Sequence, residues 1–273
     1  LDPDPELMPV TDVFQFNQAI VDATADLACA YKPNLAFYEA LGIPGLEALE
    51  RTVTHIRAVA AHALIIGDAK RGDIGTTARG YAAAYLSEAA PFPSDAVTVN
   101  PYMGLDTLEP FLEEAEANGK GVVVLARTSN PGSADFQARD LEGAPLYARV
   151  VEALAPAIQR LKGAGEWSSL MLVAGATGPG EARQLRQLAP DALFLVPGYG
   201  AQGGGAEDAL AGFKAVSNRL EGGVVNASRS VTFPAGSDTV ESQADWHALI
   251  VAAIEAAQTD LSIHAGRVPV ASG

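Results

Sequence analysis

The chain has 273 residues, with 18 Lys and Arg against 33 Asp and Glu and a net charge of −15. That length allows one large α/β domain or two small ones, with ample core. The acidity repels nucleic acid and anionic membranes, so neither is an expected partner, and an anionic substrate must be held by local cations. The single cysteine, Cys29, excludes an intrachain disulfide. His55, His62, His247 and His264 form no HxxxH or HExxH pair, so no metal site is expected. No apolar run approaches the ~18 residues of a membrane span, and no signal peptide is visible. A cytoplasmic location is expected, although residues preceding Leu1 in the gene product are expected to be missing here.

Short β-like runs alternate with amphipathic stretches. Leu1-Asp2 reads as the tail of a first strand. Thr11 to Ala28 follows as a helix with Val13, Phe16, Ile20 and Leu27 on one face. Cys29 to Pro33 reads as a second strand, Pro44 to Ala60 as a helix, and His62 to Lys70 as the third strand. A helix from Thr76 to Glu88 precedes the fourth strand, Ala96 to Asn100. Leu105 to Asn118 is a helix stopped by Gly119. The fifth strand, Gly121 to Ala126, is a continuous apolar run ending in Arg127-Thr128-Ser129-Asn130-Pro131. A helix is placed at Tyr147 to Lys162, the sixth strand at Leu170 to Ala174 and a helix at Glu181 to Leu188. The seventh strand is Ala192 to Val196, followed by a short helix at Asp208 to Phe213. The eighth strand is Gly223 to Asn226, and the last helix runs from Glu241 to Ala257. Eight βα units without a composition break describe a (β/α)8 TIM barrel with most of strand one absent from this sequence. The expected organisation is one barrel domain over residues 1–260 and a tail over 261–273.

A barrel places its site at the C-terminal ends of its strands. Those ends carry Asp2, Lys32, Asp68, Lys70, Asn100, Ser129, Gln202 and Arg229. Asp68 and Lys70 lie two apart on one strand and point the same way, and Asp73 follows in a loop loosened by Gly72 and Gly75. Charges gathered at the first three strand ends are costly unless paired or near water, so packing does not explain them.

The loop Pro197-Gly198-Tyr199-Gly200-Ala201-Gln202-Gly203-Gly204-Gly205 contains a literal G-x-G-x-x-G. A Rossmann fingerprint belongs in the first βα turn, whereas this one follows the seventh strand. Glycine-loop amides there, with the Arg229 guanidinium, suit a phosphate. Arg71, Arg79 and Arg127 read as surface or interface charges, and Tyr31, Tyr102 and Tyr199 are candidates to line the pocket or, as is commoner for aromatic residues near strand ends, to pack.

The array Asp68-x-Lys70-x-x-Asp73-Ile74-x-x-Thr77 resembles the signature of orotidine 5′-phosphate decarboxylase. Leu1-Asp2-Pro3, Tyr31-Lys32-Pro33-Asn34, Thr128-Ser129-Asn130-Pro131, the Gly198–Gly204 loop and Asn226-Ala227-Ser228-Arg229-Ser230 match in order, in the manner of its longer-loop branch. The resemblance implies decarboxylation of orotidine 5′-monophosphate to uridine 5′-monophosphate in pyrimidine biosynthesis, with no metal and no organic cofactor. It makes Lys32, Asp68, Lys70 and Asp73 a catalytic charge network in which Lys70 protonates C6. Asp2 and Lys32 hold ribose hydroxyls, Ser129 the pyrimidine, and Gln202 base and phosphate. Arg229, Gly200 and Gly203 take the phosphate. Asp73 and Thr77 reach the neighbouring subunit's site, which implies a homodimer with shared sites. The alternatives are a magnesium-dependent keto-gulonate phosphate decarboxylase, a Schiff-base aldolase using Lys70 or Lys32, and a non-catalytic nucleotide-binding barrel.

Overall fold

The computed structural model describes residues 1–3, 12–200, 202–216, 219–240 and 242–266. Seven parallel strands form its main sheet: β1 (Ala30–Tyr31), β2 (Leu64–Arg71), β3 (Ala96–Val99), β4 (Gly121–Arg127), β7 (Ser168–Ala174), β8 (Ala192–Val196) and β11 (Gly223–Val225). They stand side by side in chain order. Two small antiparallel hairpins, β5 (Asp140–Leu141) with β6 (Ala144–Pro145) and β9 (Lys214–Val216) with β10 (Arg219–Glu221), decorate the connections and were not expected from the sequence. Leu1 lies along the β1 edge as the expected strand tail. Its nitrogen donates to Lys32 O at 2.8 Å and its carbonyl accepts from Asn34 N at 3.1 Å.

Period-two alternation sorts each strand between two apolar layers. Ile66, Ala96, Val123, Met171, Val173 and Leu195 pack together on the inner face of the sheet. The intervening Ile65, Val97, Val99, Val122, Val124, Leu170 and Leu172 face outward, under the helices. Both faces are covered, so these strands read as continuous apolar runs rather than alternating ones.

The helices are α1 (Val13–Thr24), α2 (Leu35–Glu39), α3 (Ile43–Val59), α4 (Gly75–Leu86), α5 (Glu109–Asn118), α6 (Ser133–Phe136), α7 (Leu146–Ala153), α8 (Ala155–Arg160), α9 (Pro179–Leu188), α10 (Ala206–Leu210), α11 (Arg229–Thr232) and α12 (Gln243–His264). Capping chemistry sets some of the boundaries. Asp12 accepts from Gln15 N at the start of α1, and Gly119, at φ 63°, stops α5.

Three departures from the sequence reading have local causes. The predicted Leu105–Asn118 helix begins as a 3-10 turn, Leu105–Thr107, because Pro110 cannot donate back to Asp106. The predicted Tyr147–Lys162 helix is divided at Leu154 for the same reason, at Pro156. The last helix continues past Ala257 to His264, beyond the expected domain end at 260. No Gly or Pro interrupts it until Gly266, at φ 74°. Its expected first residue, Glu241, lies outside the described residues, as do Thr11 and the tail from 267 onward.

α12 spans the seam between the two outer strands. It packs on α1 at the β1 side and on α10 and α11 at the β11 side, and Gln258 donates to Leu27 O at 2.8 Å. Phe16, Phe233 and Trp246 stack across this join with ring centroids 5.3 and 5.4 Å apart. Beneath it runs an apolar groove of about 360 Å³, lined among others by Ile20, Ile66, Leu195, Val224, Ile254 and Leu261. Among the described residues no helix is long and apolar enough to cross a membrane.

Candidate active site

Lys32 follows β1, and Asp68 and Lys70 lie near the end of β2, so parallel pairing brings all three together. The ladder continues past β1 through Asp68 N to Pro33 O at 3.0 Å. Lys32 Nζ meets Asp68 Oδ2 at 2.6 Å, and Lys70 Nζ meets Asp68 Oδ1 at 2.6 Å. The Asp68 carboxylate is buried and Lys32 nearly so, while half of the Lys70 side chain reaches solvent. Burial alone would push the Asp68 carboxyl up. The neighbouring ammoniums of Lys32 and Lys70 more than reverse this and hold it at about 2. Each carboxylate oxygen already has an ammonium partner, an arrangement suited to orienting charge rather than to holding a divalent cation.

Thr98, on the inner face of β3, forms the floor of this trio. Its Oγ1 accepts from Lys70 N at 2.8 Å and donates to Asp68 Oδ1 at 3.1 Å. Sequence reading missed it. The available signal was a lone hydroxyl in an apolar strand, two residues before the strand-end Asn100.

A second, polar cavity of about 260 Å³ opens over the ends of β8 and β11, lined by Asp2, Asn34, Gly198, Gln202, Ser228 and Arg229 among others. Asp2 accepts from Ser228 Oγ through Oδ2, while its buried Oδ1 has no protein partner among the described residues. Ser129 Oγ donates to Gln202 Oε1 at 2.6 Å, across the mouth between the β4 and β8 loops. Gly198, Gly200 and Gly203 adopt positive φ of 97°, 75° and 90°, which explains glycine at each. The Gly200 and Gly203 amides are turned inward, to Gly204 O at 2.9 Å and Gly200 O at 2.8 Å. An anion would gain them only by exchanging those bonds. Arg229 is exposed and forms no ion pair among the described residues. Ala201 lies outside the described residues.

Asp73 does not join the trio within the chain; its Oδ1 accepts from the adjacent Ile74 N at 2.8 Å. Thr77 stands exposed in the first turn of α4. Arg127 is not a surface charge. Its side chain is 14% exposed, donates to Ser133 Oγ and pairs with Glu181 at 3.3 Å, tying the β4 loop to α9. Tyr199 does more than pack, because its hydroxyl donates to Asp260 Oδ2 at 2.8 Å and so fastens the glycine loop to α12.

The model of the orotidine 5′-phosphate decarboxylase / HUMPS family matches residues 8–243. A Herpetosiphon aurantiacus protein named orotidine 5′-phosphate decarboxylase is 44% identical over 249 residues, covering 88% of this chain and 84% of the relative. A Haloarcula marismortui protein of the same name is 45% identical over 257 residues, covering 90% and 84%. The solved structure of Leishmania donovani OMP decarboxylase superposes with a TM-score of 0.72 at 32% identity, covering 92% of this chain and 86% of that one. With a family model matched over most of its length, and relatives of this identity and coverage, the chain belongs to the orotidine 5′-phosphate decarboxylase / HUMPS family.

Proposed function

We propose that this chain decarboxylates orotidine 5′-monophosphate with Lys70 as the proton donor to C6. Decarboxylase activity in pyrimidine biosynthesis follows from family membership and from relatives that bear the decarboxylase name. The residue roles rest chiefly on one observation, a buried carboxylate gripped by two ammoniums at a strand-end mouth. The C6–carboxylate bond breaks, carbon dioxide leaves, and the electron pair stays on C6. Lys70 Nζ then supplies the proton for the new C–H bond and is reprotonated from solvent. Its ammonium stabilises a charge that is developed only near the transition state, which is where stabilisation accelerates a reaction. Asp68 fixes that ammonium and faces the departing carboxylate.

Asp2 and Lys32 hold the ribose hydroxyls, Ser129 the pyrimidine, and Gln202 both base and phosphate. Arg229 takes the phosphate, joined by Gly200 and Gly203 amides once the loop rearranges. The polar cavity over β8 and β11 supports this division, because it collects Asp2, Gln202 and Arg229 in one place. Asp73 and Thr77 serve the site of a second copy in a homodimer working in the cytoplasm. The support is an exposed apolar surface beside them, including Ile74 and Tyr102, which are 62% and 85% exposed.

The test is a spectrophotometric assay of orotidine monophosphate loss. Lys70→Ala is expected to lower kcat by at least about 10³-fold, with uridine monophosphate binding within roughly threefold of the parent. Unchanged turnover would refute the assigned role. Activity is expected to persist in a chelator; loss restored by magnesium would favour the metal-dependent relative.

A further inference from the structure

We infer that Thr98 is a positioning residue for the decarboxylation, acting through Lys70 and Asp68; this rests on the catalytic role proposed for Lys70. The parallel ladder between β2 and β3 runs regularly through Gly67 opposite Val97, then shifts so that Arg71 stands opposite Val99. Four steps along β2 are matched by two along β3, so Asp68, Ala69 and Lys70 bulge away from the neighbouring strand. The regular spacing resumes where Asn100 N donates to Arg71 O at 2.8 Å.

Within that bulge Lys70 has φ 48°, a left-handed conformation that side-chain-bearing residues seldom adopt. Strain of this kind persists only when surrounding bonds determine it. Here the determining bond comes from a side chain. The Lys70 N–H has left the ladder and donates to Thr98 Oγ1 at 2.8 Å. The same hydroxyl spends its one proton on Asp68 Oδ1 at 3.1 Å, the oxygen that also receives Lys70 Nζ at 2.6 Å. Backbone, carboxylate and ammonium are thereby locked into one ring with Thr98 at its base. Thr98 is 1% exposed and sits below the charges, so it does not itself meet substrate. The requirement lies in its hydroxyl, which must accept from one group and donate to another at once, as valine cannot.

The experiment compares Thr98→Val, Thr98→Ser and Lys70→Ala with the parent chain for kcat, KM and thermal midpoint. Thr98→Val keeps the volume and removes both hydrogen bonds. It is expected to lower kcat by about 10²-fold, the size of loss that misplacing a catalytic group by an ångström produces, with KM within roughly threefold. Thr98→Ser keeps the hydroxyl and is expected to restore kcat to within about threefold of the parent. A Thr98→Val enzyme as fast as the parent, beside an inactive Lys70→Ala, overturns the inference and leaves the lysine's role standing. A fully active Lys70→Ala overturns both. Should Thr98→Val fail to fold, Thr98→Ser decides: a loss on the scale expected for valine means the methyl, not the hydroxyl, matters, and overturns the inference.

Discussion

Ser129 Oγ donates to Gln202 Oε1 at 2.6 Å, and this single bond joins the loop after β4 to the loop after β8 over the open end of the barrel. The two residues are 73 apart in sequence, and the proposed roles place both on the base, with Gln202 reaching on to the phosphate. They should therefore behave as a coupled pair. Ser129→Ala and Gln202→Ala are each expected to lower kcat/KM by about tenfold, and the double variant should lose less than the product of the two. A coupling of about 1 kcal/mol is the size expected of one hydrogen bond of this kind. A double-mutant cycle on kcat/KM measures it, and strict additivity would contradict the pairing.

Arg229 is the cation best placed over the polar cavity. If Arg229 takes the phosphate as proposed, Arg229→Ala is expected to raise KM by about 10²-fold or more, the loss of a charge-assisted bidentate contact. Arg229→Lys should recover only part of this, because an ammonium cannot offer the planar fork. The phosphate is remote from C6, so the comparison of nucleotide with the unphosphorylated nucleoside is decisive. The variant should lose its preference for the nucleotide, and an unchanged preference would count against the assignment.

Among the described residues Asp73 accepts a local backbone bond from Ile74 and forms no ion pair with Lys70. If it completes a second copy's site, Asp73→Ala and Lys70→Ala chains complement each other. In an equal mixture with free subunit exchange, half the dimers are mixed and each holds one intact site, giving roughly a quarter of the parent activity. Exchange demonstrated by mass-tagged chains with no regained activity would exclude sharing.

Asp68 links the site to acid stability. Its carboxyl lies at about 2 in the folded chain, against about 3.9 when unfolded. The unfolded state thus binds more protons between those values, and stability falls as pH drops. The contribution, between about 2 and 3 kcal/mol, is fully present above the unfolded value and is lost as pH falls through about 2. Urea unfolding of the parent and Asp68→Asn from about pH 6 downward should show the stability difference shrinking in that window. A difference that stays constant with pH would contradict it.

The strand ends were legible because parallel strands buried on both faces leave long apolar runs, and Asp68 and Lys70 break such a run abruptly. Glycines at 198, 200 and 203 were legible as a loop, and their positive φ explains why. What escaped notice depends on partners distant in sequence. Thr98 gains its meaning only when β2 bulges beside β3. Arg186 is a sharper case. It is buried with no carboxylate partner among the described residues, and donates to the carbonyls of Gly212, Ala192 and Gly222 at 2.7, 2.6 and 2.7 Å while lying 3.9 Å from the Phe194 ring centre. On the sequence it is one more arginine on an amphipathic helix. Asn34 was readable as part of a strand end, but its capping of α2 through Ala36 N at 3.3 Å gave too short a helix to stand out.

The seam bridged by α12 sets an order of opening within the molecule. β1 and β11 contribute two and three residues to the sheet, whereas β4 and β7, in its middle, contribute seven each. Amide protons report such differences directly, since local opening needs only the bonds of one region to break. Protection should be greatest through Val122–Leu125 and Leu170–Val173 and should decline toward both outer strands. Because Tyr199 is fastened to Asp260 on α12, the glycine loop belongs to the early-exchanging unit. A nucleotide that orders this loop would then slow exchange in α12 as well, far from any atom it touches.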